Sequence, residues 1–155
     1  MKPGLDYTGI STPFFCHDGQ GNFLLQRRSQ KCRNYRGCWD VGAGTLEFGE
    51  DPETGVLREV LEEYGVAGEI TERLFAYGAH WNEADGRKSH WVAIPFFIKI
   101  DSSKIKIGDL EYIDEIGWFS LGALPTPLHP GVTIALARYP DAFARHASEK
   151  TSQPS

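Results

Sequence analysis

The chain has 155 residues, 41% apolar and 24% charged, with a formal net charge of −5. That length buries one core rather than several, and the acidic balance argues against non-specific binding to nucleic acid or to an acidic membrane. The longest apolar run, residues 92–98, is far too short to span a bilayer, and the first nine residues carry no signal-peptide core, so a cytoplasmic protein is expected.

In chain order, residues 7–16 read as a strand rich in β-branched and aromatic side chains. A turn follows at residues 17–21, then a second strand at 22–27, which together suggest a hairpin. Residues 28–37 form a basic loop; counting the end of the preceding strand, Arg27, Arg28, Lys31, Arg33 and Arg36 fall close together. Three cysteines, Cys16, Cys32 and Cys38, are odd in number, match neither zinc nor redox spacing, and are expected to be reduced. A short strand at 38–41 ends in Gly42-Ala43-Gly44.

Residues 66–78 are expected as a strand centred on Leu74 to Tyr77. A polar connection, 80–88, leads to an apolar strand at 90–100, where Pro95 suggests an edge or a bulge. A short strand at 115–119 precedes Pro125, Pro127 and Pro130, which punctuate the entry to a helix at 132–138, and Pro140 stops or kinks that helix. Residues 1–147 are expected to form a single domain, with 148–155 a frayed tail. Strands interleaved with two helices indicate an α/β fold, a mixed sheet with helices packed on its faces.

The first of those helices carries the chemistry. Asp51 is placed to cap it, Pro52 suits the first helical position, and Gly65 suits a left-handed stop. Val56, Leu57, Val60, Leu61 and Tyr64 fall within an arc of roughly 140°, the expected buried face, and Glu59, Glu62 and Glu63 lie opposite with Arg58 at their edge. The like-charged pair Glu59–Glu63 costs a few tenths of a kcal/mol, and two anions in the last turn oppose the helix dipole by roughly 0.3–1 kcal/mol each. A cation among these carboxylates reverses that balance, and oxygen ligands without His or Cys point to Mg²⁺ or Mn²⁺. An exposed acidic face would carry the same residues, so composition alone leaves both readings open.

The spacing is more specific. Gly44, five residues, Glu50, seven residues, then Arg58-Glu59-Val60-Leu61-Glu62-Glu63-Tyr64-Gly65-Val66 matches the Nudix box at every defined position. Seven fixed positions agree by chance roughly once in 10⁸ placements, given ordinary residue frequencies. The chain therefore resembles a Nudix hydrolase. The resemblance extends over residues 6–138, through Leu24-Leu25-Gln26-Arg27-Arg28, Trp39-Asp40-Val41-Gly42-Ala43-Gly44 and Glu115-Ile116-Gly117-Trp118-Phe119.

It implies an α/β/α sandwich around a mixed sheet, and Mg²⁺- or Mn²⁺-dependent hydrolysis of a nucleoside diphosphate linked to another group. By position, Glu62 and Glu63 would be the principal metal ligands and Glu59 a further ligand or the group that activates water. Arg58 would orient the carboxylates, Glu50 and Glu47 could reach a second metal, and a carbonyl near Ala43 and Gly44 would be another ligand. Many members have Gly-Gly where this chain has Ala43-Gly44, a change that leaves carbonyl ligation intact. Family members differ in whether the base comes from the box or a later loop; Asp109 leads the candidates outside the box, ahead of Glu111, Asp114 and Glu115.

Arg27 or Arg28 could meet phosphate. Trp81, Trp91, His80 and His90 flank the polar 82–88 loop, where a base or ribose could stack, with Trp91 and Trp118 read as core. The expected partner is a small nucleotide-type diphosphate, with no membrane and no nucleic acid, and a homodimer is left open. Two other readings stand beside hydrolysis: a Nudix-fold sensor that binds without cleaving, and a diphosphate isomerase, which would need a further protonating residue such as Cys38.

Overall fold

The computed structural model describes residues 1–108 and 110–148. Nine strands form one mixed sheet: β1 (Gly9–His17), β2 (Phe23–Arg28), β3 (Trp39–Asp40), β4 (Gly42–Thr45), β5 (Glu69–Arg73), β6 (Tyr77–Asn82), β7 (Lys88–Ala93), β8 (Phe96–Lys99) and β9 (Ile113–Phe119). Among the described residues three α-helices accompany it: α1 (Pro52–Tyr64), α2 (Pro130–Arg138) and α3 (Pro140–Ala147).

Strand alternation divides the core into two layers. Phe14, Cys16, Leu24, Phe96 and Ile98 face Val56, Val60 and Tyr64 of α1. Their sequence neighbours Phe15, Phe23, Leu25 and Phe97 face the other way, onto Ala135 and Tyr139 at the end of α2 and Ala142 and Phe143 of α3. The expected α/β/α sandwich is thus what forms, with β1 at its centre, parallel to β7 and β8 and antiparallel to β4.

Several expected boundaries move. The β1–β2 hairpin is paired only at its neck, His17 opposite Phe23; beyond it β2 pairs with β3 and β9 instead. Residues 74–76, within the expected centre of one strand, form the break between β5 and β6. The connection expected over 80–88 narrows to residues 83–87, because β6 and β7 pair from Tyr77–Ala93 to Asn82–Lys88. Pro95 marks neither an edge nor a simple bulge. It is fully buried and splits the apolar run into β7 and β8, each pairing with β1, since a ring without an N–H cannot continue the ladder.

Helix α1 begins and ends where its sequence places it. Gly65 adopts φ 65 and donates its N–H to the Leu61 carbonyl. Two further terminal carbonyls are taken by the N–H groups of Lys106 and Gly108, bonded to Tyr64 and Glu63 respectively. Asp51 makes no side-chain cap, and Leu61, expected inside, is 55% exposed. The helix is rolled so that Glu59 and Glu63 are half-buried against the sheet in its place.

A Cβ on Gly42 would collide with the ring of Phe14, which is buried edge-on against Tyr64. Gly42→Ala is therefore expected to lower stability by about 1–3 kcal/mol in urea unfolding. Gly122→Ala, where no neighbour lies near the added carbon, is expected to stay within about 0.5 kcal/mol.

Candidate active site

One guanidinium organises the acidic stretch. Arg58 Nε and Nη2 donate to the two oxygens of Glu50 at 2.7 and 3.0 Å, a bidentate pair. Its Nη1 donates to Glu59 at 2.9 Å and to Glu62 at 3.2 Å, and lies 3.7 Å from Glu47. Glu50 is placed for this by the turn before α1, where its Oε1 also accepts the Glu47 N–H. Gly55, buried in the first turns of the helix, leaves room for the Glu50 carboxylate. The Arg58 hydrogen bonds, followed by the Glu47 N–H, hold the Glu50 carboxyl below its ordinary value. Arg58 is correspondingly fixed in its charged form, chiefly by Glu50.

Glu59 sits where a side chain at position 44 would be: a Cβ on Gly44 would overlap its Cγ and Cδ. Burial pushes the Glu59 carboxyl above the ordinary range, against the pull of Arg58. Glu63 accepts from Gln26 Nε2 at 3.3 Å, and Gln26 Oε1 accepts from the buried Tyr64 hydroxyl at 2.6 Å. That relay ties the last turn of α1 to β2. Burial, then the Glu63 charge, raises the Tyr64 phenol well above its usual value, so it remains a donor.

Two clefts adjoin this cluster and share Arg28, Arg33, Asp40, Val41 and Ala43. The smaller also contains Gln26 and Glu63. The larger, about 230 Å³, opens on the opposite side of β4 and is walled by Tyr77, Ala79, Trp81 and Glu83, alternate residues from β6 into the following turn. Trp91 is seated against Gly4 and Gly9 and also lines this cavity, so its packing and cavity-lining roles coincide. His129 closes the cavity near α2. The segment before that helix crosses β3, with Trp39 donating to the Pro127 carbonyl and His129 to the Trp39 carbonyl. His129 Nδ1 accepts the Gly131 N–H at 2.9 Å, which caps α2 and leaves the proton of the neutral ring on Nε2. Burial lowers its pKa below the ordinary 6.5, outweighing Asp40.

The sequence-named residues divide accordingly. Glu47, Glu50, Arg58, Glu59 and Glu62 are brought together around Arg58, and Gly44 lies beneath Glu59. Glu63 faces the smaller cleft. Arg28 and Trp81 line the larger cavity. Arg27 does not: at the β2 bulge it turns to Glu115 and Asp114 and over Trp39. His90 lies on the other face of the β6–β7 hairpin, stacked on His80 and bonded to Thr8. Asp109 falls outside the described residues, while Gly108 before it is tied to the end of α1. Asp40, Glu83, Gln26 and His129 were missed. Of these, only Glu83 carried a signal, its even spacing from Tyr77 and Trp81.

Among the described residues no three His, Cys, Asp or Glu side chains converge on one ion-sized point. The donor set nevertheless fits a hard divalent cation: four carboxylates, Glu47, Glu50, Glu59 and Glu62, share a single Arg58, Glu63 lies on the same helix toward the smaller cleft, and Glu47 and Glu62 are exposed and free to turn.

Comparison with known proteins accords with this geometry. The NUDIX domain model matches residues 8–139. A relative named MutT4 from Mycobacterium tuberculosis is 30% identical over 81% of this chain and 47% of its own length. An ADP-ribose pyrophosphatase of Methanocaldococcus jannaschii is 29% identical over 66% of this chain and 56% of its own. The chain thus spans about half the length of these curated relatives. The crystal structure of a MutT Nudix hydrolase from Burkholderia pseudomallei superposes with a TM-score of 0.73 at 28% identity, covering 86% of this chain and 99% of that one. The chain belongs to the Nudix family.

A depressed histidine pKa contributes stability above the unfolded value that is lost as pH falls through it toward the folded one. His129→Asn, which keeps a cap acceptor but does not titrate, is expected to reduce the loss of stability between about pH 7.5 and 5.5, read from urea midpoints.

Proposed function

We propose that this Nudix chain hydrolyses the diphosphate linkage of a nucleoside diphosphate joined to another group, using Mg²⁺ or Mn²⁺. The observation that carries the reading is the excess of carboxylates around Arg58 at the edge of a cleft with an aromatic wall and a cationic seam. A diphosphate brings further negative charge, so the same cleft accepts it only with added positive charge. Bound there, a divalent ion would neutralise phosphate oxygens and supply an activated water.

Glu62, Glu63 and Glu59 would hold the ion, with the Gly44 carbonyl, and Glu47 and Glu50 are placed for a second. Arg58 orients these carboxylates and limits their mutual repulsion. Glu59, half-buried over Gly44 beside the other carboxylates, is the group on which a base role inside the box would fall if it is not itself a ligand. Arg28, at the seam of the two clefts, is placed to meet phosphate, and the Trp81 side of the cavity takes the nucleoside. The substrate lies in the nucleoside triphosphate, ADP-ribose or sugar-nucleotide class.

The test is turnover of such a panel with Mg²⁺, followed by phosphate or pyrophosphate release. Glu62→Gln and Glu63→Gln are each expected to lower kcat on the order of 10²-fold or more, with an unchanged Tm. Undiminished activity in both variants overturns the metal assignment. Tight binding of one compound without turnover of any would make the protein a sensor instead.

A further inference from the structure

We propose that Glu83 selects the base of the substrate, and that it favours a guanine-type edge. Glu83 is buried, its side chain only 3% exposed, at the turn between β6 and β7 on the wall of the larger cavity. Its Oε2 accepts from Arg33 Nε at 3.0 Å and, weakly, from Asn34 Nδ2 at 3.4 Å. Its Oε1 is buried with no hydrogen-bond partner among the described residues. A carboxylate oxygen withdrawn from water without a donor is destabilising. In a cavity wall that cost is offset when a ligand supplies the donor.

The cover over Glu83 is loose. Arg33 is 59% exposed, in the range where an ion pair adds little stability. Tyr35, in the same loop, is the one non-glycine residue at positive φ among the described residues, φ 47. Its ring rests on His129 and Trp81 rather than in a packed core. A ligand reaches Glu83 by displacing the Asn34 contact and the exposed Arg33 head, and Trp81 and Trp91 offer faces for a planar ring.

The donor pattern then discriminates between bases. A carboxylate only accepts. Adenine and cytosine present an amino group beside a ring nitrogen acceptor, and uracil presents one N–H between two carbonyls, so each turns an acceptor toward the carboxylate. Guanine alone among the standard bases sets two N–H donors, N1–H and N2–H, side by side. The inference rests on the proposed reading that a nucleotide enters this cleft.

Binding of GDP, ADP and N1-methyl-GDP, followed by tryptophan fluorescence with Ca²⁺ in place of Mg²⁺ so that the diphosphate charge is balanced, tests it apart from turnover. GDP is expected to bind on the order of tenfold or more tighter than either of the others, and Glu83→Gln to collapse that ratio, because the amide N–H opposes guanine N2–H. Equal affinity for GDP and ADP overturns the inference, since sugar and phosphates alone would then hold the ligand. Equal weakening of all three by Glu83→Gln also overturns it, leaving Glu83 as a support for the Arg33–Tyr35 loop. Should Glu83→Gln fail to fold, the wild-type comparison of GDP with N1-methyl-GDP decides alone. Guanine preference without turnover of any nucleotide would remove hydrolysis and leave this inference standing; turnover without base preference would do the reverse.

Discussion

The structure around the box depends on one imbalance: a single guanidinium serving Glu47, Glu50, Glu59 and Glu62. Arg58 spends its best geometry on Glu50, which lies outside the helix, and so fastens the preceding turn onto α1. What it offers Glu59 and Glu62 comes from one nitrogen. Those carboxylates are therefore gathered but under-neutralised. A second arginine would have made a stable ion-pair network and closed the site to a cation; one makes a cluster that is held in place and still carries excess negative charge.

The sheet separates this cluster from the cavity while keeping them adjacent. Along β4, Gly42 and Gly44 turn toward Phe14 and Glu59 on the α1 side, whereas Ala43 and Thr45 line the cavity on the other. Glycine is needed at 42 and 44 because Phe14 of the adjacent strand β1 and Glu59 of α1 occupy the space of the missing Cβ atoms. Ala43 points into open cavity and meets no such demand, which explains why a methyl is tolerated between two positions that allow none. One four-residue strand thus borders both the α1 carboxylates and the cavity wall.

Much of this was legible in the sequence, for identifiable reasons. The spacing from Gly44 to Val66 is local, so the helix, its stop at Gly65 and the gathering of its carboxylates followed from 3.6-residue periodicity and backbone geometry. Leu61 was misplaced because periodicity centres the buried arc on apolar residues. The real arc is shifted toward Glu59 and Glu63, whose burial is fixed by contacts with Gly44 and Gln26 on distant strands. His90 was misassigned for a similar reason. Beside Trp81 in a supposed loop it could face anything, but β6 and β7 pair His80 with His90 and send both to the far side. Asp40, Glu83 and His129 are separated by more than forty residues at each step, and only the crossing of residues 127–129 over β3 and the β6–β7 turn bring them to one cavity.

The basic segment shows how the two halves communicate. Read alone, its arginines looked interchangeable, yet a bulge at Arg27 and Arg28 sends the first to Glu115 and the second to Asp40 at the seam of both clefts. Arg28 also donates to the Asn34 carbonyl and side chain, so the loop that covers Glu83 is anchored on the same guanidinium that borders the carboxylate cluster. Arg28 holds Asn34 through its main-chain carbonyl and its side chain, and Asn34 in turn reaches Glu83, so the carboxylate side of the sheet and the cavity wall are joined through one loop residue without any movement of the sheet.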